Sequence, residues 1–264
     1  MNIFLRELRA NFKSLLIWSG IVILFSVIGF SKFSAFYGNP ELTAILDGLS
    51  PALLSALSMN AFNLTTVTGF FGIMIMYYGL ILTIAAVMWG SDVISKEERD
   101  RTVEFSLTLP VTRSQVVTAK LAAVTVNCVI LTLVTWGITL LSAQSFKPDS
   151  AFYSFVAISM LSFLLMEMVF LALGIFLGCA LRRHKRAGSL AVSFILGLYF
   201  TSILSGLTKD LDFLKYFTPF KYFDPVFMMH ESRLELIFVF LSIAISAALV
   251  TGAYIFYSKR DLYI

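Results

Sequence analysis

Six stretches of this chain are long and apolar enough to cross a bilayer, and that count rules out most soluble folds before any motif is read. They lie near residues 15–36, 69–91, 114–141, 151–181, 187–206 and 236–257. A helix rises about 1.5 Å per residue and the hydrocarbon core is ~30 Å thick, so about 20 apolar residues suffice to span it. Barrel strands would be about 10 residues long and alternate in polarity, whereas these runs are continuous. The expected fold class is all-α, an integral membrane protein of six transmembrane helices in one domain over 1–264. A mean hydropathy of +0.87 and 26 Phe agree with it.

Orientation follows from charge. With six spans both termini share one side, and the loops divide into two sets. Of the 20 Lys and Arg, six lie on one set: Lys32, Lys147, Lys209, Lys215, Lys221 and Arg233. The rest lie on the termini, around 95–120 and in the turn RRHKR at 182–186. The cation excess assigns that second set to the cytoplasm and the loops 37–68, 142–150 and 207–235 to the outside. The net charge of +4 therefore reflects topology, and no nucleic-acid partner is implied. Arg6, Glu7, Arg9 and Lys13 precede the first span without a small-residue cleavage site after it, so that span is expected to stay. In residues 1–14, Ile3, Phe4, Leu8 and Phe12 can share a face, which predicts an interfacial helix; a cytoplasmic extension of the first span is the plainer alternative.

Residues 95–113 are the exception to the apolar composition. They carry Lys96, Glu97, Glu98, Arg99, Asp100, Arg101, Glu104 and Arg113. Each such charge would cost about 2.5–3.5 kcal/mol at the centre of a spanning helix, so the segment must be wet. Ser95 with Glu98, and Thr112 with Gln115, read as capping boxes that start two helices around Pro110. The second helix, from about Arg113 through the third span, is longer than the membrane core and must project from it. Between the boxes Val103, Phe105, Leu107 and Leu109 alternate with polar residues. A lone strand would leave unpaired edges, whereas a helix gives Val103 and Leu107 one apolar stripe and Phe105 and Leu109 another. Two apolar sides need two partners, the chain's own bundle and a cytosolic protein with a charged-rimmed groove. A self-solvating charged loop is the bland alternative.

Inside the spans, Glu167 lies mid-way along the fourth, where an ionised carboxylate is expensive. It is read either as a site on a substrate path or subunit interface, or as a Glu held by a neighbouring span. Gly174 and Gly178 form a G-x-x-x-G pair suited to close helix packing, within the chain or between copies. On the outside, Asn39-Pro40 and Ser50-Pro51 predict short helices, and the aromatic run from Phe213 to Phe227 predicts an interfacial belt. His230-Glu231 lacks the second His of a zinc-protease pair because position 234 is Leu, so no metal site is expected. Cys128 and Cys179 fall within spans and suggest neither disulfide nor cluster.

Four segments resemble one family. FLRELRANFKSLLIW (4–18) resembles its amphipathic elbow, and EERDRTVEFSLTLPVTRSQVVTAK (97–120) its charged pattern between spans 2 and 3. TPFKYFDP (218–225) is similar to its last outer loop, and FYSKRDLYI (256–264) to its basic tail. That family is the type-2 ABC permeases, the membrane subunits of type V ABC exporters. Some relatives have Gly where Arg101 stands. The resemblance implies that 95–113 contains a coupling helix around Val103 to Leu109, with Glu97, Glu98, Arg99, Arg101, Glu104 and Arg113 helping to seat it on a separate ATPase subunit. It further implies a second permease subunit, alike or different, and a bacterial or archaeal cytoplasmic membrane. ATP and Mg would sit on the ATPase partner, since this chain has no phosphate-binding G-x-x-x-x-G-K-[ST] loop and no Gly-Lys dipeptide. No cofactor and no catalytic residue are expected in the chain itself. The rival classes are a self-contained secondary transporter or channel using Glu167, for which no inverted repeat is visible, and an intramembrane enzyme, for which no convergent catalytic set exists.

Overall fold

A computed structural model describes residues 3–39, 48, 62–99, 112–181, 184–206 and 209–259. Six helices within it are long and apolar enough to cross a membrane, and no strand occurs among the described residues. They are α1 (Ile3–Phe33), α2 (Val67–Arg99), α3 (Arg113–Ala143), α4 (Ser150–Ala180), α5 (His184–Ser205) and, after a short α6 (Pro225–Glu231), α7 (Leu236–Lys259). Each of α1 to α4 has 31 to 33 residues, about 46–50 Å of rod against a hydrocarbon layer of ~30 Å, so their ends stand clear of it. One end of the bundle carries Lys96, Arg113 and Lys259 and is called the basic end; the other carries Phe33, Phe146 and Phe223 and is called the aromatic end.

The bundle is built around the parallel pair α2 and α4, whose contacts run in step from Phe71 with Phe155 to Ile94 with Gly178. Two-thirds of the apolar stretch of each is buried (67%), against 17% in α7 and 22% in α1 and α5. Glycine sets that spacing. A Cβ on Gly90 would lie 2.5 Å from the Leu171 carbonyl oxygen, and one on Gly174 2.4 Å from the Val87 oxygen. Gly178 meets the Ser91 oxygen at 3.1 Å in the same sense. In lipid the association of helices depends on such close packing, since the tails are as apolar as Leu. Around this pair, α1 lies chiefly on α3, α7 on α4, and α5 on α2 and α4. Outward faces such as Leu16, Ile17 and Leu24 of α1 and Leu236, Ile237 and Phe240 of α7 are exposed apolar surface that only lipid or another protein can satisfy.

Polar groups inside the bundle are tied. Ser26 of α1 and Tyr78 of α2 share a hydrogen bond of 2.7 Å, and Thr139 of α3 donates to the same Tyr78 oxygen at 3.5 Å. Thr83, Thr135 and Ser159 donate to carbonyls of their own preceding turns, which hides each hydroxyl. At the aromatic end Phe33 stacks on Phe70 at 4.6 Å and meets Phe146 edge-on at 4.8 Å, joining α1, α2 and the turn after α3.

Two expectations are corrected. Ser95 does not start a helix: α2 runs on to Arg99, and the Ser95 hydroxyl donates back to the Ser91 carbonyl inside it. Lys120 is not a loop cation; it is fully buried in the second turn of α3. The N-terminal segment also differs from a separate interfacial helix. Ile3–Phe33 is one unbroken helix whose inward stripe, Glu7, Asn11, Leu15, Val22, Ser26, Phe30 and Phe33, begins before residue 14. The reason is a polar anchor at Glu7, described below. The helices expected after Asn39 and Ser50 lie outside the described residues.

Candidate functional site: clamps at the basic end

Both ends of the 95–113 segment are fastened to other helices. The Thr112 capping box forms as expected: the Thr112 hydroxyl accepts from Gln115 N at 3.3 Å, while the Gln115 side chain accepts from Thr112 N at 2.9 Å. It fixes where α3 begins. One residue on, Arg113 reaches across to the last turn of α7 and donates to the carbonyls of Tyr257 (3.2 Å) and Ser258 (3.3 Å). These carbonyls lie in the last turn of α7, where a cation meets the negative end of the helix dipole. A turn deeper, Thr118 and Tyr254 share a hydrogen bond of 2.7 Å between the same two helices.

The other end of the segment is held by charge. Lys96, in the last turn of α2, forms an ion pair with Glu7 of α1, and Arg6 lies 3.4 Å from the same carboxyl. Glu7 is 1% exposed. Burying a carboxylate alone is prohibitive, so Glu7 can lie inward because Lys96 and Arg6 meet it. Two turns deeper, Trp89 Nε1 of α2 donates to Ser14 of α1 at 2.9 Å. Lys120 completes the set. Its ammonium donates to the Val93 carbonyl of α2 at 2.8 Å, joining α3 to α2.

Of the residues singled out in the sequence, Arg101, Val103, Glu104, Phe105, Leu107 and Leu109 lie outside the described residues, and Glu97, Glu98 and Arg99 close α2. Glu7, Lys96 and Lys120 went unrecognised as anchors because each sits in a charged stretch that reads as solvated; the available signal was the depth of Lys120 within a spanning helix. Glu167 is buried between α3 and α4, where Thr132 donates to its Oε2 at 2.6 Å. Its Oε1 has no hydrogen-bond partner among the described residues. Gly174 and Gly178 both face α2. No group of three metal-ligating side chains occurs among the described residues, and both cysteines are free and buried.

The motif around Thr218 to Pro225 is a packing device. Thr218 donates to the Leu198 carbonyl at 2.8 Å, Tyr222 donates to the Tyr216 carbonyl at 2.8 Å, and Asp224 caps α6 ahead of Pro225. The Tyr222 ring stacks on Phe238 at 5.2 Å. Burial raises the Tyr222 phenol above its ordinary value.

No curated protein matches the chain. The family model described as "ABC-2 family transporter protein" matches residues 1–262. A helical bundle with six spans, matched over nearly its whole length, leaves one assignment: the chain belongs to the ABC-2 family of transporter membrane proteins.

Proposed function

We propose that this chain is the membrane subunit of an ABC exporter, with the basic end in the cytoplasm and residues 95–113 seated on a separate ATPase subunit. The observation that carries the reading is the family match over residues 1–262. Supporting it, the cation excess marks the basic end as cytoplasmic, and the sequence contains no loop able to cradle nucleotide phosphates. ATP and its Mg ion belong to the partner. A second permease subunit, alike or different, completes the pathway in a bacterial or archaeal cytoplasmic membrane.

The clamps give this reading a mechanism. A partner that closes on ATP displaces the 95–113 segment. Its near end moves α1 through Lys96 and Glu7, its far end moves α7 through Arg113, and Lys120 keeps α2 and α3 together. The glycine seam of α2 and α4 cannot open gradually, because backbone meets backbone there. One lever thus shifts outer helices against a rigid centre. Glu167, joined to Thr132, pins α3 to α4 within that centre.

The test is co-expression with an ABC ATPase subunit and reconstitution into vesicles. Glu97→Lys with Glu98→Lys is expected to abolish co-purification and ATP-driven export while the melting temperature of the chain is kept. Movement of cargo at full rate by the isolated chain on an ion gradient alone refutes the reading.

A further inference from the structure

A cleft of about 600 Å³ lies at the basic end between α1 and α5, with α2 as its floor. Its walls are small or polar: Ala10 and Asn11 from α1, Ser91 and Ser95 from α2, Gly188 and Ser189 from α5. Glycine keeps the α5 side open, since a Cβ on Gly188 would meet only the Ser91 hydroxyl, at 3.9 Å. Most donors in the cleft are spent. Ser91 donates to the Met88 carbonyl at 3.1 Å, Ser95 to the Ser91 carbonyl, and the Trp89 indole to Ser14 at 2.9 Å. Asp92 also lines the cleft and is engaged already. The group left wanting a partner is neutral. Asn11 is 7% exposed, and its Nδ2 has no hydrogen-bond partner among the described residues. A buried amide donor without a partner is costly, and an acceptor entering the cleft removes that cost.

Toward the aromatic end the same three walls turn apolar. α2 is a core helix, and its exposed large apolar side chains are Tyr77 and Met88. Eleven residues apart, they share a face with Ser95, seven beyond Met88. On α5, Leu196 and Phe200 continue the face of Ser189; on α1, Ile17 and Ile21 continue that of Ala10, and all four are exposed. Met88 to Tyr77 covers about 16 Å, close to the ~15 Å of hydrocarbon in one leaflet. At the far end the Phe25 ring of α1 meets Tyr77 at 6.2 Å.

We propose that this groove holds one glycerophospholipid of the leaflet at the basic end, its phosphate or ester oxygens accepting from the Asn11 amide and one acyl chain lying along Met88 and Tyr77. The order of the walls selects the occupant. A polar head followed by a hydrocarbon tail, in that sequence along the bilayer normal, is the polarity that α1, α2 and α5 present together. Water alone satisfies the polar half and leaves the apolar half bare, whereas a hydrocarbon chain alone leaves the amide unmet. The volume lies within the range of a site for one such molecule. Asn11 is one turn beyond Glu7, so the head fills the gap beside the ion pair that joins α1 to α2.

The experiment uses the whole chain in dodecyl maltoside, titrated with phosphatidylcholine and read by native mass spectrometry and thermal unfolding. This lipid accepts hydrogen bonds and donates none, which isolates the part of the Asn11 amide. One lipid per chain is expected to stay bound and to raise Tm. A phosphatidylcholine carrying a diazirine in one acyl chain should place adducts on peptides containing Tyr77 and Met88. Asn11→Leu is expected to lower retention and those adducts about ten-fold, yet without lipid to melt no lower than the wild type, because the amide has no partner to lose. Gly188→Leu, whose side chain enters the cleft, should have the same effect on binding; if that variant fails to fold, Ser189→Phe at an exposed position fills the same space. Adducts on the outward face of α7, at Phe240 and Ile243, should persist in every variant. Unchanged retention and unchanged α2 adducts in Asn11→Leu overturn the proposal, as does a lower lipid-free Tm, which would assign the amide to the fold. Disulfide formation between two chains carrying Ser189→Cys, with no lipid retained, overturns it in favour of a second copy seated in the groove. Neither ATPase nor cargo takes part, so failure here leaves the transport reading standing.

Discussion

Gly174→Ala adds one methyl group where two backbones touch. Its Cβ would stand 2.4 Å from the Val87 oxygen and 2.9 Å from Ser91 N. Non-bonded heavy atoms are best placed at about 3.5–4.0 Å, so α2 and α4 must part by roughly 1 Å. No rotamer relieves this, because both obstacles are main chain, and Gly90 faces Gly174 with its Cα 3.1 Å from the same Cβ position. A gap of 0.5–1 Å forfeits about a quarter to a half of each contact it opens. Leu171 and Ile175 of α4 lie along that seam, as Gly90's contacts show. Overpacking costs about 1–3 kcal/mol, and the absence of a flexible neighbour places this case near the upper end, about 3 kcal/mol. For a chain of this size that corresponds to a fall in Tm of roughly 6–12 °C. The assay is thermal unfolding of the detergent-purified chain followed by Trp fluorescence. Gly137→Ala and Gly197→Ala serve as controls, since neither Cβ would meet anything within 4 Å. A Gly174→Ala protein that melts with those controls refutes the claim that backbone contact sets the α2 and α4 spacing.

Two further outcomes follow from the same geometry. Lys96→Met leaves the Glu7 carboxylate with Arg6 at 3.4 Å and is expected to cost about 2–3 kcal/mol, less than a fully buried pair because Arg6 remains and the Lys96 side chain is 13% exposed; Glu7→Leu in the same chain should recover most of it. Strictly additive losses in that double-mutant cycle would show that the pair does not join α1 to α2. Tyr222 supplies a pH dependence. Its folded-state value is raised, so the unfolded phenol gives up its proton first, and the contribution of Tyr222 is intact below about pH 10 and declines above it. Melting curves across that range should weaken in the wild type, and the alkaline step should shrink in Tyr222→Phe; equal alkaline loss in both proteins would contradict it.

Some of this was legible residue by residue. The six apolar runs appear as six helices, and the Thr112 and Gln115 pair starts α3 as its spacing predicts. Ser95 shows why local signals mislead: the same pattern of Ser followed by Glu three positions on lies inside α2, where neighbouring helical turns already satisfy the backbone. Lys96 and Lys120 read as solvated cations on composition, yet one meets Glu7 and the other a carbonyl of α2. Phe220 and Phe223 belong to an aromatic run that is visible in the sequence, but a cavity they line with Gly79 of α2 and Met166 of α4 exists only once those helices are placed beside them.

The sequence by itself determined how many helices can enter a membrane and which loops carry the cations, because the transfer of a helix into hydrocarbon depends on its own side chains and on nothing distant. Tertiary structure alone decided which charges are buried and where space is left. The energy of a buried carboxylate or ammonium is set by the group that meets it, and for Glu7, Lys96 and Lys120 that group belongs to another helix.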